Sequence, residues 1–369
     1  NKIFSRCFYK KASFKEVFLY LYYPMRNFLL IIFISVAFLN DFDQLYFGSD
    51  DALDIMTWNI EWFPKNGNAT VSYVYEIIQA LDMDIIAMQE LDDTNSFDQM
   101  INQLDGYDGY YESSWFAGLA YIYKTDVIEI NSIYEIYTSS PYWNAFPRSP
   151  MVMDMNFMGE NYIIINNHYK CCGDEFLNLN DDGDEENRRY MANVLLKEYI
   201  ETYFSNKNVV LLGDLNDNLT DSINNNVFQM FLDEPQNYLF ADYEIAFSSN
   251  TNWSYPNWPS HIDHILITNE LFDMLDNVET IKIDYFMDGG FSDYDYYISD
   301  HRPVAIKVSS INSITGDINQ DSIINVLDIV LLIDIILSND NQFNILADLN
   351  EDGIINVLDV VQLVNEIIN

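Results

Sequence analysis

The chain has 369 residues, 49% hydrophobic and 15% aromatic, enough apolar material for a large core and too much for wholesale disorder. Only 17 Lys and Arg stand against 58 Asp and Glu. So acidic a surface repels polyanions unless cations or a local basic groove intervene, and it suits salty, calcium-rich surroundings.

Residues 1–24 lack an initial methionine and read as an upstream leader or read-through. Residues 25–45 have the layout of a secretory signal: Arg26, an apolar run from Phe28 to Leu39, then an acidic stretch, with Ser35-Val36-Ala37 as a weak cleavage site. The apolar run is short for a membrane span, so an uncleaved anchor is the lesser alternative. Three cysteines, Cys7, Cys171 and Cys172, say little about redox and leave a strained vicinal disulfide at 171–172 open.

Residues 52–62 alternate polar and apolar positions as a strand does. Residues 70–81 carry apolar residues at helical spacing. Asp84–Met88 is a buried strand that delivers Gln89 and Glu90 at its end. Strands are also expected at 119–123, 151–158 and 161–166, the last delivering Asn167 and His168. A helix is expected over 187–204, with Tyr190, Val194, Leu195, Tyr199 and Tyr203 on one side. Val209–Leu212 is a buried strand of parallel type, ended by Gly213. Asp214 and Asn216 follow it and, on an extended backbone, point the same way. Late strands are expected at 264–268 and 304–308. The alternation of strands and helices makes the class α/β or α+β with layered packing.

Apolar strands that repeatedly end in Asn59, Glu90, His168, Asp214, Asn216, Asp263 and His301 predict one shared polar pocket at an edge of the sheets. Taken singly, each of these residues is as well explained by a turn cap or a solvated side chain. The acidic loop Asn180–Glu186 reads as a solvated loop or a calcium loop. Arg188 and Arg189 read as a helix-surface pair or as groups reaching a phosphate.

Thr57-Trp58-Asn59-Ile60, Gln89-Glu90, Asn166-Asn167-His168, Gly213-Asp214-Leu215-Asn216, Ile262-Asp263-His264 and Ser299-Asp300-His301-Arg302-Pro303 stand in the order and spacing of one superfamily. Residues 52–308 thereby resemble the endonuclease/exonuclease/phosphatase superfamily, and most of all its secreted pancreatic-type deoxyribonucleases. The resemblance implies a four-layered sandwich of two packed β-sheets flanked by helices. It implies a magnesium or manganese ion held by Glu90 with Asn59 and Asp300, and a water deprotonated by His301, whose ring Asp263 orients. It implies that Asp214 and Asn216 position water and phosphate, and that His168 faces the phosphate. Glu112 resembles the acid that orients this histidine, Arg148 resembles a phosphate-binding arginine, and Asn167 is placed with it at the phosphate. The Tyr-x-Pro-x-Gly stretch of exonuclease III-like repair enzymes is missing after residue 165, which counts against abasic-site repair.

A polar linker, 309–315, leads to an internal repeat of period 31. Asp317, Asn319, Asp321, Asn325 and Asp328, with the carbonyl of Ile323, follow the spacing of a calcium loop. Asp348, Asn350, Asp352, Asn356 and Asp359, with the carbonyl of Ile354, repeat it. Gly353 suits the sharp turn at position 6, and Ser322 departs from it. Each loop runs into an apolar helix. Asp at position 12 and the absence of a leading helix resemble type I dockerins over 316–369, a small all-α calcium-loop domain. That resemblance implies a cohesin-type scaffold partner. The whole reads as a secreted phosphodiester hydrolase acting on nucleic acid. A phospholipid or small phosphate ester is the alternative substrate, and a catalytically silent scaffold-borne binding module the non-enzymatic one.

Overall fold

The structure is a computed structural model and describes residues 41–112, 117–309, 315–319, 323–338, 345–350 and 353–368. Most of the signal segment, the 310–314 part of the linker, Asp321 and Asp352 lie outside the described residues.

Among the described residues, twelve strands form two six-stranded sheets. They are β1 (Ala52–Phe63), β2 (Ile85–Leu91), β3 (Tyr107–Tyr111), β4 (Gly118–Lys124), β5 (Ile128–Glu135), β6 (Met151–Phe157), β7 (Glu160–His168), β8 (Asn208–Asp214), β9 (Tyr238–Phe240), β10 (Asp263–Thr268), β11 (Leu275–Thr280) and β12 (Val304–Ser309). One sheet runs β11-β12-β1-β2-β4-β3 and the other β5-β6-β7-β8-β10-β9. The central pairs β1·β2 and β7·β8 are parallel and their neighbours antiparallel, so each sheet is mixed. β3, β5, β9 and β11 escape the sequence reading, since they are polar or short edge strands with weak apolar runs.

Period-2 alternation sorts each central strand between two buried faces. Leu53 and Ile55 of β1, Ile85 and Ala87 of β2, Ile164 of β7, and Val210 and Leu212 of β8 fill the space between the sheets. Met56, Trp58 and Ile86 turn to the outer layer, covered by α1 (Asn68–Leu81) and α2 (Thr94–Ile101). Ile163, Ile165, Val209 and Leu211 pack outward with α3 (Glu185–Tyr203). β1 therefore alternates between two apolar layers rather than between core and solvent. Phe42 and Leu45, which the sequence reading places in the signal segment, are buried in the α1 layer.

The buried stripe of α3 is Arg189, Ala192, Asn193, Leu196 and Ile200, not the expected tyrosine side. Tyr190, Leu195 and Tyr199 cover its flank, and Tyr203 is exposed. Small and polar residues sit against the sheet because Asn193 has partners there, the Tyr169 hydroxyl at 2.8 Å and the Val227 carbonyl at 3.0 Å.

Gly213 does not end β8. It lies inside the strand at φ 143°, where a Cβ would stand 1.9 Å from the Asn167 carbonyl of β7.

The C-terminal unit has two helices, Val326–Ser338 and Val357–Ile368, packed over Ile318, Leu332, Ala347, Leu349 and Leu363. Among the described residues no helix is long and apolar enough to cross a membrane.

Candidate active site

The alternation that builds the inter-sheet core also builds the site. Carried on toward the C-terminal ends of β1, β2, β7 and β8, the inward positions become Thr57, Asn59, Gln89, Asn166, His168 and Asp214. β10 enters antiparallel, so its first residue, Asp263, sits opposite Asp214.

The floor is a closed amide network. Gln89 Nε2 donates to Asn166 Oδ1 at 2.8 Å and to Thr57 Oγ1 at 3.1 Å. Asn166 Nδ2 donates to the Met88 and Ala120 carbonyls, each at 3.0 Å. The bonds of Asn166 cross between the sheets and fix their mutual register under the cleft.

Above the floor the predicted groups meet. Asn59 Nδ2 donates to Asp214 Oδ2 at 2.9 Å and to Glu90 Oε1 at 3.2 Å. His168 Nε2 lies 3.4 Å from Asp214 Oδ2 and 3.8 Å from Glu90 Oε1. His301 Nδ1 bonds Asp263 Oδ2 at 2.8 Å, while its Nε2 is 3.9 Å from both Asp214 Oδ2 and Asp300 Oδ1. The His301 backbone is held by its carbonyl, which accepts from the Tyr294 hydroxyl at 2.6 Å, and by its N–H, which donates to Ser299 Oγ at 2.9 Å. Glu90 reaches the cluster from a bulge between β1 and β2, at φ 68°. The cleft above has a volume of about 500 Å³ and exposes Trp62 and Trp258 at its rim.

Electrostatics divides the two histidines. Burial lowers the pKa of His168 well below the usual value, and Arg148 and His301 lower it further, so His168 is neutral. Burial also opposes charge on His301, but Asp263 and Asp214 outweigh it and push its pKa up to about 10. Asp214 is raised to about 7, mainly by burial, with His301 opposing.

Hard oxygen donors suited to a divalent ion are present. Glu61, Glu90 and Asp300 line the cleft, and Asp300 Oδ1 is buried without a partner. Glu61 escapes the sequence reading. It accepts from the Asp300 N–H at 2.8 Å, and its pKa is raised to about 7 by burial, with Lys65 opposing and Asp300 adding. Its signal was its place two residues beyond Asn59 in an alternating strand. Asn59 Oδ1 already accepts from the Glu61 N–H at 3.0 Å, so Asn59 orients the carboxylates through its other atom.

Four expectations are corrected. Glu112 follows directly after edge strand β3, is exposed, and accepts from the Tyr110 hydroxyl; His168 Nδ1 is buried with no partner. Asn167 alternates to the outer face of β7, where Nδ2 donates to the Ile165 and Leu212 carbonyls at 2.8 and 3.3 Å. Asn216 lines the cleft, but from an Asx turn at φ 55°, its N–H donating to Asp214 Oδ1 at 3.1 Å, rather than from an extended strand. Of the two readings of Arg189 the helix-surface one falls: it is buried, lines the cleft, and bonds Asp217 Oδ2 at 2.7 Å and the Lys170 and Cys172 carbonyls at 2.8 and 2.6 Å. Arg148 is half-buried, within electrostatic reach of Glu90 and Asp214. Cys171 and Cys172 are free and exposed at the cleft wall.

A second acid–histidine group, Asp242 with His261 and His264, is a buried ionic cluster. His264 Nδ1 meets Asp242 Oδ2 at 2.5 Å and its Nε2 meets the Asp217 carbonyl at 2.9 Å. Both partners only accept, so His264 is an imidazolium. His261 Nδ1 accepts from the Ser254 N–H at 3.2 Å, which leaves the proton on Nε2, facing Asp242 at 3.0 Å, and no lone pair for a metal there.

In the C-terminal unit Asp317, Asp328, Asp348 and Asp359 are buried. Asp328 accepts from the N–H groups of Ile318, Asn319 and Asn325 at 2.9, 3.0 and 2.8 Å. Asp359 accepts from those of Asn350 and Asn356 at 3.3 and 2.8 Å. Asn325 and Asn356 turn Oδ1 to the Leu327 and Leu358 N–H groups, each at 2.8 Å, and so cap the two helices instead of facing an ion directly.

The layered fold and its acid–histidine mouth define a phosphoesterase domain. Residues 56–301 match the model of the Endonuclease/Exonuclease/phosphatase family, and the chain belongs to that family, whose members hydrolyse phosphate esters. Residues 315–368 match the Dockerin type I domain. No curated protein matches the chain. Among solved structures, TDP2 of D. rerio, complexed with single strand DNA product, is 13% identical with a TM-score of 0.55, covering 71% of this chain and 100% of its own. The human Nocturnin catalytic domain with bound sulfate anion is 17% identical, TM-score 0.52, covering 70% and 94%. An endonuclease/exonuclease/phosphatase from Bacteroides vulgatus is 15% identical, TM-score 0.51, covering 70% and 98%. At these identities the likeness is one of fold.

Proposed function

We propose that the chain is a secreted, divalent-metal-dependent phosphodiester hydrolase with nucleic acid as its substrate, carried on a scaffold by its dockerin domain. The convergence of Glu90, His168, Asp214, Asp263, Asp300 and His301 within successive contacts under 4 Å carries this reading. His301 Nε2 takes a proton from the attacking water, and Asp263 holds the other ring proton and the tautomer. Asp214 and Asn216 position the water and the phosphate. Neutral His168 donates a hydrogen bond to a phosphate oxygen, and Arg148 pairs with the phosphate. Glu90 and Asp300, with Glu61, would hold magnesium or manganese, which when bound neutralises charge on the phosphoryl group. That positive charge also offsets the field that favours the imidazolium of His301, leaving it able to act as a base. Calcium in the two C-terminal loops would fold that unit, presenting it to a cohesin-type module.

The excess of 58 acidic over 17 basic residues favours a second reading, a phospholipid or small phosphate ester. The test is magnesium-dependent hydrolysis of DNA, RNA, sphingomyelin and bis(p-nitrophenyl) phosphate by the wild type and His301→Ala. Cleavage of DNA or RNA that His301→Ala abolishes supports the first reading. Cleavage of sphingomyelin alone moves the assignment to the second, and no cleavage of any substrate leaves a silent binding module.

A further inference from the structure

The wall of the cleft formed by Cys171, Cys172, Gly173, Glu175 and Glu186 carries a second group of acids, which includes Glu186. A carboxylate oxygen from each of Asp174, Asp184 and Glu186 lies within 4.8 Å of the others. Asp174 Oδ1 accepts from the Phe176 N–H at 3.2 Å. Asp184 Oδ1 accepts from the N–H groups of Asn187 and Asn178 at 2.8 and 3.3 Å. Glu186 Oε1 accepts from the Glu175 N–H at 2.8 Å and lies 3.2 Å from Arg189 Nη2. Each carboxylate therefore keeps a second oxygen outside these bonds.

Glu186 makes this more than a surface cluster. It is 2% exposed, and its Oε2 is buried with no partner. An ionised oxygen so placed is costly until a cation meets it. The backbone makes room for the carboxylate, since a Cβ on Gly173 would stand 2.1 Å from Oε1 and 2.7 Å from Oε2. Charge is also out of balance. Arg189 is already shared with Asp217, and Asp217 is itself paired with Asp221.

We propose that Asp174, Asp184 and Glu186 bind a calcium ion that pins the 171–184 segment to the first turn of α3. The donors are hard carboxylate oxygens without imidazole or thiolate, which suits calcium or magnesium over the transition metals. Asp174 is exposed, so water completes the shell. A wide, irregular, loop-borne set fits calcium's larger coordination number better than magnesium's compact octahedron. The site shares none of its three carboxylates with the catalytic cluster or the two C-terminal loops, although Glu186 also lines the cleft. Its consequence is a rigid wall at the mouth of the cleft.

The test counts calcium. The full chain is stripped with chelator and titrated with calcium alone against a chromophoric chelator. The wild type should bind one equivalent more than D174N/D184N, because the C-terminal loops contribute equally to both. Asp184→Asn keeps the side-chain oxygen that caps α3, and a far-UV circular dichroism spectrum in chelator equal to that of the wild type in chelator confirms the fold. Should the double variant not fold, D174N alone, altered at an exposed position, carries the test: one site should weaken by about tenfold or more. Equal stoichiometry and equal affinities in wild type and variant overturn the proposal.

Discussion

Asp263→Asn isolates the role assigned to the carboxylate behind His301. The perturbation is small in volume and keeps an acceptor 2.8 Å from Nδ1. What changes is charge and tautomer. An amide can also turn its NH₂ toward Nδ1, which moves the ring proton to Nε2, the nitrogen that must accept one from water. In hydrolytic triads this exchange costs up to about ten-thousand-fold in kcat, so a loss of about a thousand- to ten-thousand-fold, roughly 4 to 5.5 kcal/mol, is expected. The pH dependence supplies a second sign. Asp263 and Asp214 hold the His301 pKa near 10 against 6.5 in the unfolded chain. A raised folded-state pKa contributes stability that is present below pH 6.5 and lost as pH rises through 10. The metal-free wild type should thus lose stability across that window, and Asp263→Asn should lose less. The kinetic assay is magnesium-dependent hydrolysis of bis(p-nitrophenyl) phosphate, followed by nitrophenolate absorbance across pH. The acid limb of the variant's profile should lie at lower pH, because a less negative neighbour lowers the pKa of the base. A variant within about threefold of wild type, with an unmoved acid limb, would refute the pairing of Asp263 with a general base.

Gly213→Ala should destabilise the domain by about 3 kcal/mol or more, because the new methyl meets a neighbouring strand's backbone; thermal unfolding should fall by about 6 °C or more. Asp242→Asn leaves the buried His264 imidazolium uncompensated and should cost about 3–5 kcal/mol in urea unfolding at pH 6. The wild-type pair has its own pH signature. The depressed Asp242 loses its contribution as pH falls below the ordinary carboxylate value of 3.8, and the raised His264 loses its own as pH climbs above 6.5, so the wild-type advantage over the variant should be greatest between those values. Glu112→Ala should leave kcat and KM within about twofold of wild type, since its hydrogen bond goes to Tyr110 and not to His168. Chelation of calcium should remove far-UV helical signal from the C-terminal unit, where Asp317, Asp328, Asp348 and Asp359 are buried carboxylates that a cation would neutralise; an unchanged spectrum would count against calcium there.

Much was legible from the chain alone. The apolar runs Ile163–Ile165 and Val209–Leu212 mark buried strands because only a strand covered on both faces tolerates unbroken apolar sequence. The polar residues that end those runs mark the mouth, since strand period carries Asn59, His168, Asp214 and Asp263 inward whatever the surroundings. The duplicated loop at 317–328 and 348–359 declared itself by its period. These are local properties, set by covalent spacing.

What the sequence could not decide depends on neighbours far along the chain. That Asn166 faces the cleft floor and Asn167 the outer layer is a matter of pairing register, set by β7 against β8. Gly213 looked like a turn because its reason, the Asn167 carbonyl, belongs to another strand. Glu112 looked catalytic by its motif, but the β3 edge carried it elsewhere. Glu61 drew no notice and Glu186 read as part of a solvated or calcium loop, until folding half-buried the first beside Asp300 and buried the second beneath Gly173. Burial and charge environment are sums over the whole assembled structure, so only tertiary packing decided the partners of Glu61, Glu112 and Glu186 among the 58 acidic residues.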